Sequence, residues 1–274
     1  MSPGRSVLLP NVEILIPTRN APEVLWLTLT HLWASGDELV TSQVTLIDNR
    51  STAPGMEAVL GEAIRRGCRV VRNEQNVGVW ASVNRGLALA RSPRVFVLTA
   101  DVLLAPGTLA KLGYVLDQAP ANLVHLGPWV ADWDGLVGLQ GAPALATTAT
   151  TATVQAGQYN GAAWLMRWDT CRERVGWFDP NFYICGGDVD YAERLKLAGL
   201  AHGVVQELKC VHLDRQTRRR EGTAGQDTEM EIRDLTYFHK KWRDHPEVLA
   251  RHPIPDRDQW TAFKQGWQQG AIVQ

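Results

Sequence analysis

The chain has 274 residues, of which 45% are hydrophobic, and a formal net charge of -1. This length allows one large domain or two small ones with a sizeable core. The near-zero net charge excludes a general electrostatic field that would favour nucleic acid or an anionic membrane. No apolar run reaches the roughly 18 residues that a membrane span needs, and the N-terminus lacks the apolar segment of a signal peptide. We therefore expect a cytoplasmic protein, for which peripheral membrane association stays compatible with the sequence.

The first half alternates short apolar runs with helical patterns. The predicted strands are Val12–Ile16, Val44–Ile47, Arg69–Arg72 and Val95–Leu98. The predicted helices are Pro22–Ser35, Met56–Arg66 and a third that carries Val79, Val83, Leu87 and Ala90 on one face. Strands that alternate with helices predict an α/β fold with a parallel, doubly wound sheet.

The second half has a less regular pattern. Apolar runs at Leu123–Trp129, Gly161–Met166 and Val204–Val211 indicate strands, and Asp188–Ala198 and Met230–Trp242 indicate helices. The Ala/Thr-rich stretch Ala144–Val154 is typical of an exposed loop or an edge strand. We interpret residues 1–225 as one fused unit, with a nucleotide-binding half at 10–120 and an acceptor-binding half at 121–225. Residues 226–274 then form a C-terminal helical extension.

Four cysteines are present, and none belongs to a C-x-x-C pair or to a zinc-like spacing. They are Cys68, Cys171, Cys185 and Cys210. We expect free thiols in a reducing compartment, most simply as small buried apolar side chains.

Polar side chains follow the predicted strands of the first half. Thr18, Arg19 and Asn20 follow the first, Asp48 and Asn49 the second, and Thr99 and Asp101 the fourth. Ligands of such sheets bind at the carboxyl ends of the strands, although loop polarity alone would also give part of this pattern.

The segment Thr99-Ala100-Asp101-Val102 is the strongest local signal. A carboxylate at a strand end can hold a divalent metal, which would neutralise a diphosphate. An aspartate before a turn is also common without any such role. His212 ends the last predicted strand and is a candidate second ligand, although a lone histidine is usually structural.

Gly186-Gly187-Asp188-Val189-Asp190 is the second signal. Asp188 and Asp190 open a helix, where they could simply serve as cap and dipole partner. A carboxylate fixed at a helix start also suits a general base. Because residues two apart on a helix point in different directions, we choose Asp188 as the base and leave Asp190 as a partner of Arg194.

A basic run at Arg215, Arg218, Arg219 and Arg220 follows His212. It is either a solvated loop or a clamp for a pyrophosphate leaving group, since arginine binds phosphate through two hydrogen bonds. A polyanionic acceptor would use the same residues. Aromatic side chains crowd this half as well, and Trp129 and Trp164 are candidates to stack on a sugar, although most such residues pack in cores.

Taken in order, these segments resemble the family-2 glycosyltransferases with the GT-A fold. The resemblance covers about Val12 to His212, and no single segment is specific. The matching segments are Pro17-Thr18-Arg19-Asn20 for P-T-Y-N, Asp48-Asn49-Arg50-Ser51-Thr52 for D-D-G-S-T, Asn76-Val77-Gly78 with Asn84 for N-x-G…N, Thr99-Ala100-Asp101 for D-x-D, the acceptor-half segments Gly161–Arg167, Val175–Asp179, Gly187–Asp190 and Arg194–Gly199, and His212 for the closing histidine.

The resemblance implies an inverting, single-displacement transfer of a hexosyl or deoxyhexosyl group. The donor would be a UDP-, GDP- or dTDP-linked sugar, and the acceptor a hydroxyl of a glycan, lipid-linked saccharide, small molecule or modified nucleic acid. It implies Mn²⁺ or Mg²⁺ on Asp101 and His212, Asp188 as base, and acceptor contacts at Trp164, Gly187 and Trp129. Phosphate contacts are expected at Arg215 and Arg218. The implied donor-binding residues are Pro17, Thr18, Arg19, Asn20, Asp48, Asn76, Gly78, Asn84, Thr99, Ala100 and Asp101, with Arg85 as a weaker candidate.

Three motifs depart from the family pattern. Thr99 replaces the first aspartate of D-x-D, Asn49 and Arg50 replace D-G, and Gly187 replaces the glutamate before the catalytic aspartate. A catalytically silent nucleotide-sugar-binding module is therefore the alternative. A nucleotidyltransferase is a further alternative, but the Gly-rich phosphate loop with a lysine is missing.

Overall fold

A computed structural model of the chain describes residues 11–34, 43–132, 153–157, 159, 161–213 and 224–252. The strands are β1 Val12–Thr18, β2 Val44–Asp48, β3 Arg69–Arg72, β4 Arg94–Leu98, β5 Val102–Leu104, β6 Leu123–Asp132, β7 Val154–Ala156, β8 Ala163–Arg167 and β9 Ala201–His212. The helices are α1 Pro22–Trp33, α2 Met56–Arg65, α3 Val79–Leu89, α4 Thr108–Gln118, α5 Trp168–Arg174, α6 Gly187–Leu197, α7 Ala224–Lys241 and α8 Pro246–Arg251.

The strands form one mixed sheet in the order β3-β2-β1-β4-β8-β6-β9-β5, with β7 paired to β9. Strands β1 to β4 are parallel, as predicted for the first half. β8 lies antiparallel between β4 and β6, and β5 and β7 are antiparallel to β9. The α/β fold is confirmed, but the sheet is parallel only at β1 to β4 and at the β6–β9 pair. The regular strand–helix alternation that specifies parallel pairing stops after β4.

Two apolar cores lie on opposite faces of the sheet, because successive side chains of a strand point to opposite sides. In β1, Ile14 and Ile16 belong to the core under α1, α2 and α4. Leu15 belongs to the other core, which is covered by α3, α5, α6, α7 and α8. The second core includes Phe238 of α7 and Trp242, which directly follows that helix, so the C-terminal helices are packed onto the same unit as the sheet.

Most predicted elements have their observed bounds within a few residues. The sequence missed β5, α5 and α8, since three to seven residues are too few to display a period. The stretch Ala144–Val154 lies outside the described residues except for its last two, Thr153 and Val154, and Val154 opens β7. Within the described part of the chain, no helix combines the length and the apolar character that crossing a membrane requires.

Candidate functional site

The carboxyl ends of β1 and β2 meet at the predicted donor-binding residues. Pro17 pairs with Ile47 and Thr18 with Asp48 in the parallel register. The hydroxyl of Thr18 is buried and has no hydrogen-bond partner among the described residues. The buried carboxylate of Asp48 accepts the Ser51 backbone N–H at 3.0 Å. The described residues therefore leave the hydrogen-bonding capacity of the Thr18 hydroxyl unused, whereas Asp48 is already partly engaged.

Arg19 and Asn20 connect the loop after β1 to the loop after β2. The Arg19 guanidinium donates to the backbone carbonyls of Asn49 and Arg50, both at 3.1 Å. Asn20, with a φ of 52°, accepts the backbone N–H groups of Thr52 and Ala53 at 2.7 and 2.9 Å. These two predicted donor residues thus have structural contacts that shape the site.

Asn49 explains one departure from the family pattern. Its amide nitrogen donates to Asn76 Oδ1 at 2.6 Å and to the Gly78 carbonyl at 3.2 Å. Its amide oxygen accepts the Val77 backbone N–H at 3.0 Å and the Asn73 side chain at 2.9 Å. An aspartate has no N–H to donate and could not make the first two bonds. Asparagine at this position therefore ties β2 to the turn before α3.

The turn at residues 76–79 touches the acceptor half of the chain. The Val79 N–H donates to the Tyr183 carbonyl at 2.8 Å. Gly78 has a φ of 84°, and a Cβ there would lie 2.7 Å from the same carbonyl oxygen. Asn84, predicted to bind the donor, instead uses both amide atoms on the backbone of Phe178. In this structure Asn84 therefore ties α3 to the backbone at Phe178, and its role in donor binding stays a prediction.

Asp101 and His212 lie side by side. Val102 pairs with His212 across β5 and β9, and the imidazole Nε2 stands 3.3 Å from Asp101 Oδ1. Burial raises the pKa of Asp101, but hydrogen bonds from His212 and Thr99 and the charge of His212 outweigh it and leave the pKa below its usual value. The carboxylate oxygen of Asp101 and the imidazole nitrogen of His212 converge. This pair of donor atoms fits one divalent cation, whose coordination a diphosphate would complete. No third His, Cys, Asp or Glu joins them among the residues that the structure describes.

Thr99 stands where the family has the first aspartate of D-x-D. Its backbone N–H and its hydroxyl both donate to the carbonyl of Ala162, at 2.8 and 3.1 Å. The neighbouring carbonyl of Ala100 accepts the Thr28 hydroxyl at 2.9 Å. These bonds tie the strand end that carries Asp101 to the residue that precedes β8.

Asp188 lies in the first turn of α6, half-buried, with its carboxylate against the backbone of Gly161. Burial raises the pKa of Asp188, while hydrogen bonds from the backbone N–H groups of Val189 and of Asp188 itself oppose this. Tyr159 is close enough that the Asp188 charge helps, after burial, to raise the pKa of the phenol. A raised pKa suits a carboxylate that acts as a general base.

Gly187 has Trp80 in the space where the family has a glutamate side chain. A Cβ on Gly187 would stand 2.7 Å from the Trp80 indole. Trp80 itself stacks on Phe178 at a ring distance of 5.1 Å. The acceptor contact predicted at Gly187 can therefore only come from its backbone.

The two candidate tryptophans differ in exposure. Trp164 is 1% exposed and packs against both Trp80 and Phe178, so it is a core residue and cannot offer a ring face to a sugar. Trp129 on β6 is 39% exposed and can do so. Arg215 and Arg218 lie outside the described residues.

The sequence reasoning missed a buried histidine next to Tyr159. His125 on β6 is fully buried, and neither ring nitrogen has a hydrogen-bond partner in the part of the chain that is described. Its ring stacks on Tyr159 at 4.2 Å. Burial is the main cause that keeps the pKa of His125 well below its ordinary value, and the charge of His202 is the second cause. A histidine inside an apolar strand pattern was the available signal.

Solved structures resemble the chain over much of its length. The mannosyltransferase PcManGT from Pyrobaculum calidifontis, in complex with GDP-Man and Mn²⁺, has a TM-score of 0.64 at 18% identity, covering 97% of this chain and 76% of its own. GalNAc-T7 with UDP, GalNAc and Mn²⁺ has a TM-score of 0.58 at 15% identity, covering 74% of this chain. S. aureus TarS has a TM-score of 0.56 at 16% identity, covering 75% of this chain.

The chain spans 43% of the length of GalNAc-T7 and 37% of that of TarS. No curated protein matches the chain in sequence. The family model described as glycosyl transferase family 2 matches residues 13–147, which include β1 except for Val12, β2 to β6, and Asp101. The sheet order, the convergent strand ends and these matches agree: the chain has the GT-A fold, and residues 13–147 match glycosyl transferase family 2.

Proposed function

We propose that the protein is an inverting glycosyltransferase that moves a hexosyl or deoxyhexosyl group from a nucleoside diphosphate sugar to an acceptor hydroxyl. UDP-, GDP- and dTDP-linked sugars are the candidate donors. PcManGT is solved with GDP-Man and GalNAc-T7 with UDP, which supports a nucleotide-linked donor here. The acceptor is a hydroxyl of a glycan, a lipid-linked saccharide, a small molecule or a modified nucleic acid.

One short segment supports the proposal most strongly. Ala162 accepts two hydrogen bonds from Thr99, two residues before Asp101. Gly161, its neighbour, has the carboxylate of Asp188 packed on its Cα. The candidate metal-binding strand end and the candidate base therefore flank the same two residues, although they are far apart in the sequence. Transfer requires this proximity, because the acceptor oxygen must reach the anomeric carbon next to the diphosphate.

In the proposed reaction the Asp188 carboxylate takes the proton of the acceptor hydroxyl. The acceptor oxygen forms a bond to the anomeric carbon as the bond from that carbon to the phosphate oxygen breaks. The nucleoside diphosphate leaves with the electron pair, and the anomeric configuration inverts. Asp101 and His212 would hold Mn²⁺ or Mg²⁺, which supplies neutralisation of the charge on the diphosphate.

Nucleotide binding and transfer are tested separately. UDP, GDP and dTDP are screened by thermal shift with Mn²⁺, with Mg²⁺ and with a chelator, since a ligand that binds only the native state raises the Tm. We expect one nucleotide to give a metal-dependent rise. Asp101→Asn and His212→Ala should lose that rise, and Asp169→Asn, an exposed carboxylate on α5, should keep it.

Transfer is then measured with the matching sugar nucleotides, and NMR of the product gives the anomeric configuration. Asp188→Asn should bind the nucleotide normally but reduce turnover by at least about 10³-fold. Near-normal turnover of this variant would disprove the base assignment. A nucleotide that binds while no donor is transferred or hydrolysed would instead support a catalytically silent binding module.

A further inference from the structure

The loop that leads into α6 is held by a carboxylate from the C-terminal helices. Asp234 of α7 is fully buried. Its Oδ2 accepts the backbone N–H groups of Tyr183, Ile184 and Cys185 at 3.0, 2.7 and 3.1 Å, and Oδ1 accepts that of Tyr183 at 3.1 Å. Hydrogen bonds to an ionised acceptor are stronger than neutral ones. Three successive amides are thus fixed to one point directly before Gly186.

The same loop also touches the donor side of the site. The Tyr183 carbonyl accepts the Val79 N–H at 2.8 Å, and its hydroxyl lies 3.4 Å from the Asn76 carbonyl. Residue 183 is therefore held by α7 on one side and by the turn before α3 on the other. A shift of this loop would change the donor-side turn and the start of α6 together.

The C-terminal helices bind α6 itself at a second point. The fully buried Asp190 accepts Lys241 Nζ at 2.7 Å and Trp242 Nε1 at 3.0 Å, and it pairs with Arg194 within α6 at 2.9 Å. Since Asp190 is two residues after Asp188, the first turn of α6 cannot move independently of α7. Gly186 has a φ of 76° and directly precedes this turn, which makes external anchoring of the loop important.

From these contacts we propose that Asp234 is a positioning residue for Asp188: it orders residues 183–187 so that the base rests on Gly161. The inference rests on the proposed function, because it assigns α7 a part in the reaction. Asp234 touches neither donor nor acceptor and acts only through the loop. The C-terminal helical extension is in this view a component of the catalytic site.

The test compares Asp234→Asn with Glu229→Gln, which removes a carboxylate from an exposed position of the same helix. In Asp234→Asn, only one of the two side-chain atoms still accepts hydrogen bonds. We expect amide hydrogen exchange at residues 183–185 to become at least about tenfold faster, while β1 to β4 keep their protection. The kcat should fall by about 100-fold with the donor KM changed less than about threefold, because a displacement near 1 Å has this effect on catalysis. Glu229→Gln should match the wild type in all three.

Asp234→Glu keeps the charge and should recover part of the lost kcat. If Asp234→Asn fails to fold, Asp234→Glu is compared with the wild type instead. A lower kcat with a nearly unchanged donor KM would then support the proposal. Unchanged exchange at 183–185, or a KM effect without a kcat effect, would overturn the proposal. A wild-type chain that binds nucleotide but transfers no sugar would overturn the proposed function alone, since the exchange experiment does not need activity.

Discussion

The carboxylate of Asp188 packs directly on the Cα of Gly161, with no room for a methyl group between them. Gly161 precedes Ala162, which holds the strand end of Asp101 through Thr99. Gly161 therefore sets how closely the carboxylate of Asp188 approaches the segment that holds the strand end of Asp101.

Gly161→Ala is expected to displace the Asp188 carboxylate, because the new Cβ would overlap its Oδ2 atom. We expect kcat to fall by about 100-fold while the nucleotide Kd, measured by calorimetry, stays within about twofold. Gly61→Ala is the matched control, since the space around Gly61 on α2 is nearly open. It should leave kcat unchanged and stabilise the helix by about 0.5–1 kcal/mol. Full activity of Gly161→Ala would contradict the position given to the base.

Gly187→Glu restores the residue typical of the family, yet we expect it to damage the protein. Its Cβ would lie 2.7 Å from the Trp80 indole, so α3 and α6 must separate. Urea denaturation should show a loss of about 1–3 kcal/mol, typical of an overfilled core. In the double variant Trp80→Ala/Gly187→Glu the glutamate has space. Its loss of unfolding free energy should therefore be smaller than the sum of the two single-variant losses by at least about 1 kcal/mol. Strict additivity would mean that Trp80 and residue 187 do not compete for space.

The pH dependence of turnover should report the carboxyl of Asp188. Burial raises its pKa, and only the ionised form can accept a proton. The kcat should therefore fall on the acidic side with a slope of one, starting at a higher pH than for an ordinary aspartate.

The same rise in the pKa of Asp188 opposes folding at neutral pH. A carboxyl with a raised pKa in the folded state binds its proton more tightly there than in the unfolded chain, so its contribution to stability is lost as the pH rises through the folded pKa. Asp188→Asn should therefore have a higher Tm than the wild type at pH 7 and an equal Tm near pH 3. A lower Tm at pH 7 would count against a buried charge at this position.

Glu193 on α6 should show the opposite pH dependence. Burial raises its pKa, but hydrogen bonds from Arg251, Lys196 and His252 outweigh this and lower the pKa from 4.5 to about 2. The stabilisation is then complete above about pH 4.5 and is lost as the pH falls toward about 2. Glu193→Gln should lose about 3 kcal/mol of unfolding free energy at pH 7, and this difference from the wild type should shrink steadily below pH 4.5.

Glu62→Gln on α2 is the control for Glu193, because its arginine partners are solvent-exposed. Added salt should screen these ion pairs, and urea denaturation should detect little change in the free energy of unfolding. If the two variants behave alike, the contact of α6 with α8 through Arg251 adds nothing to stability.

Much of the fold is readable from local sequence. Ile14, Leu15 and Ile16 are apolar on both faces, which marks a strand buried between two helical layers, and the strand–helix alternation up to Leu98 specifies the parallel pairs. The antiparallel insertion of β8 between β4 and β6 was not readable, because no local pattern distinguishes the partner of a short apolar run.

Local sequence patterns place particular residue types at strand ends and helix starts, including Asp101, Asp188 and His212. Their contacts were decided by the tertiary structure alone. Asn84 and Trp164 fit a binding motif in the sequence, but packing assigns one to the backbone of Phe178 and the other to the core. Asp234 had no visible signal, since the amides it binds lie about 50 residues earlier. Hydrogen bonds and packing act between neighbours in space, and only the folded chain defines those neighbours.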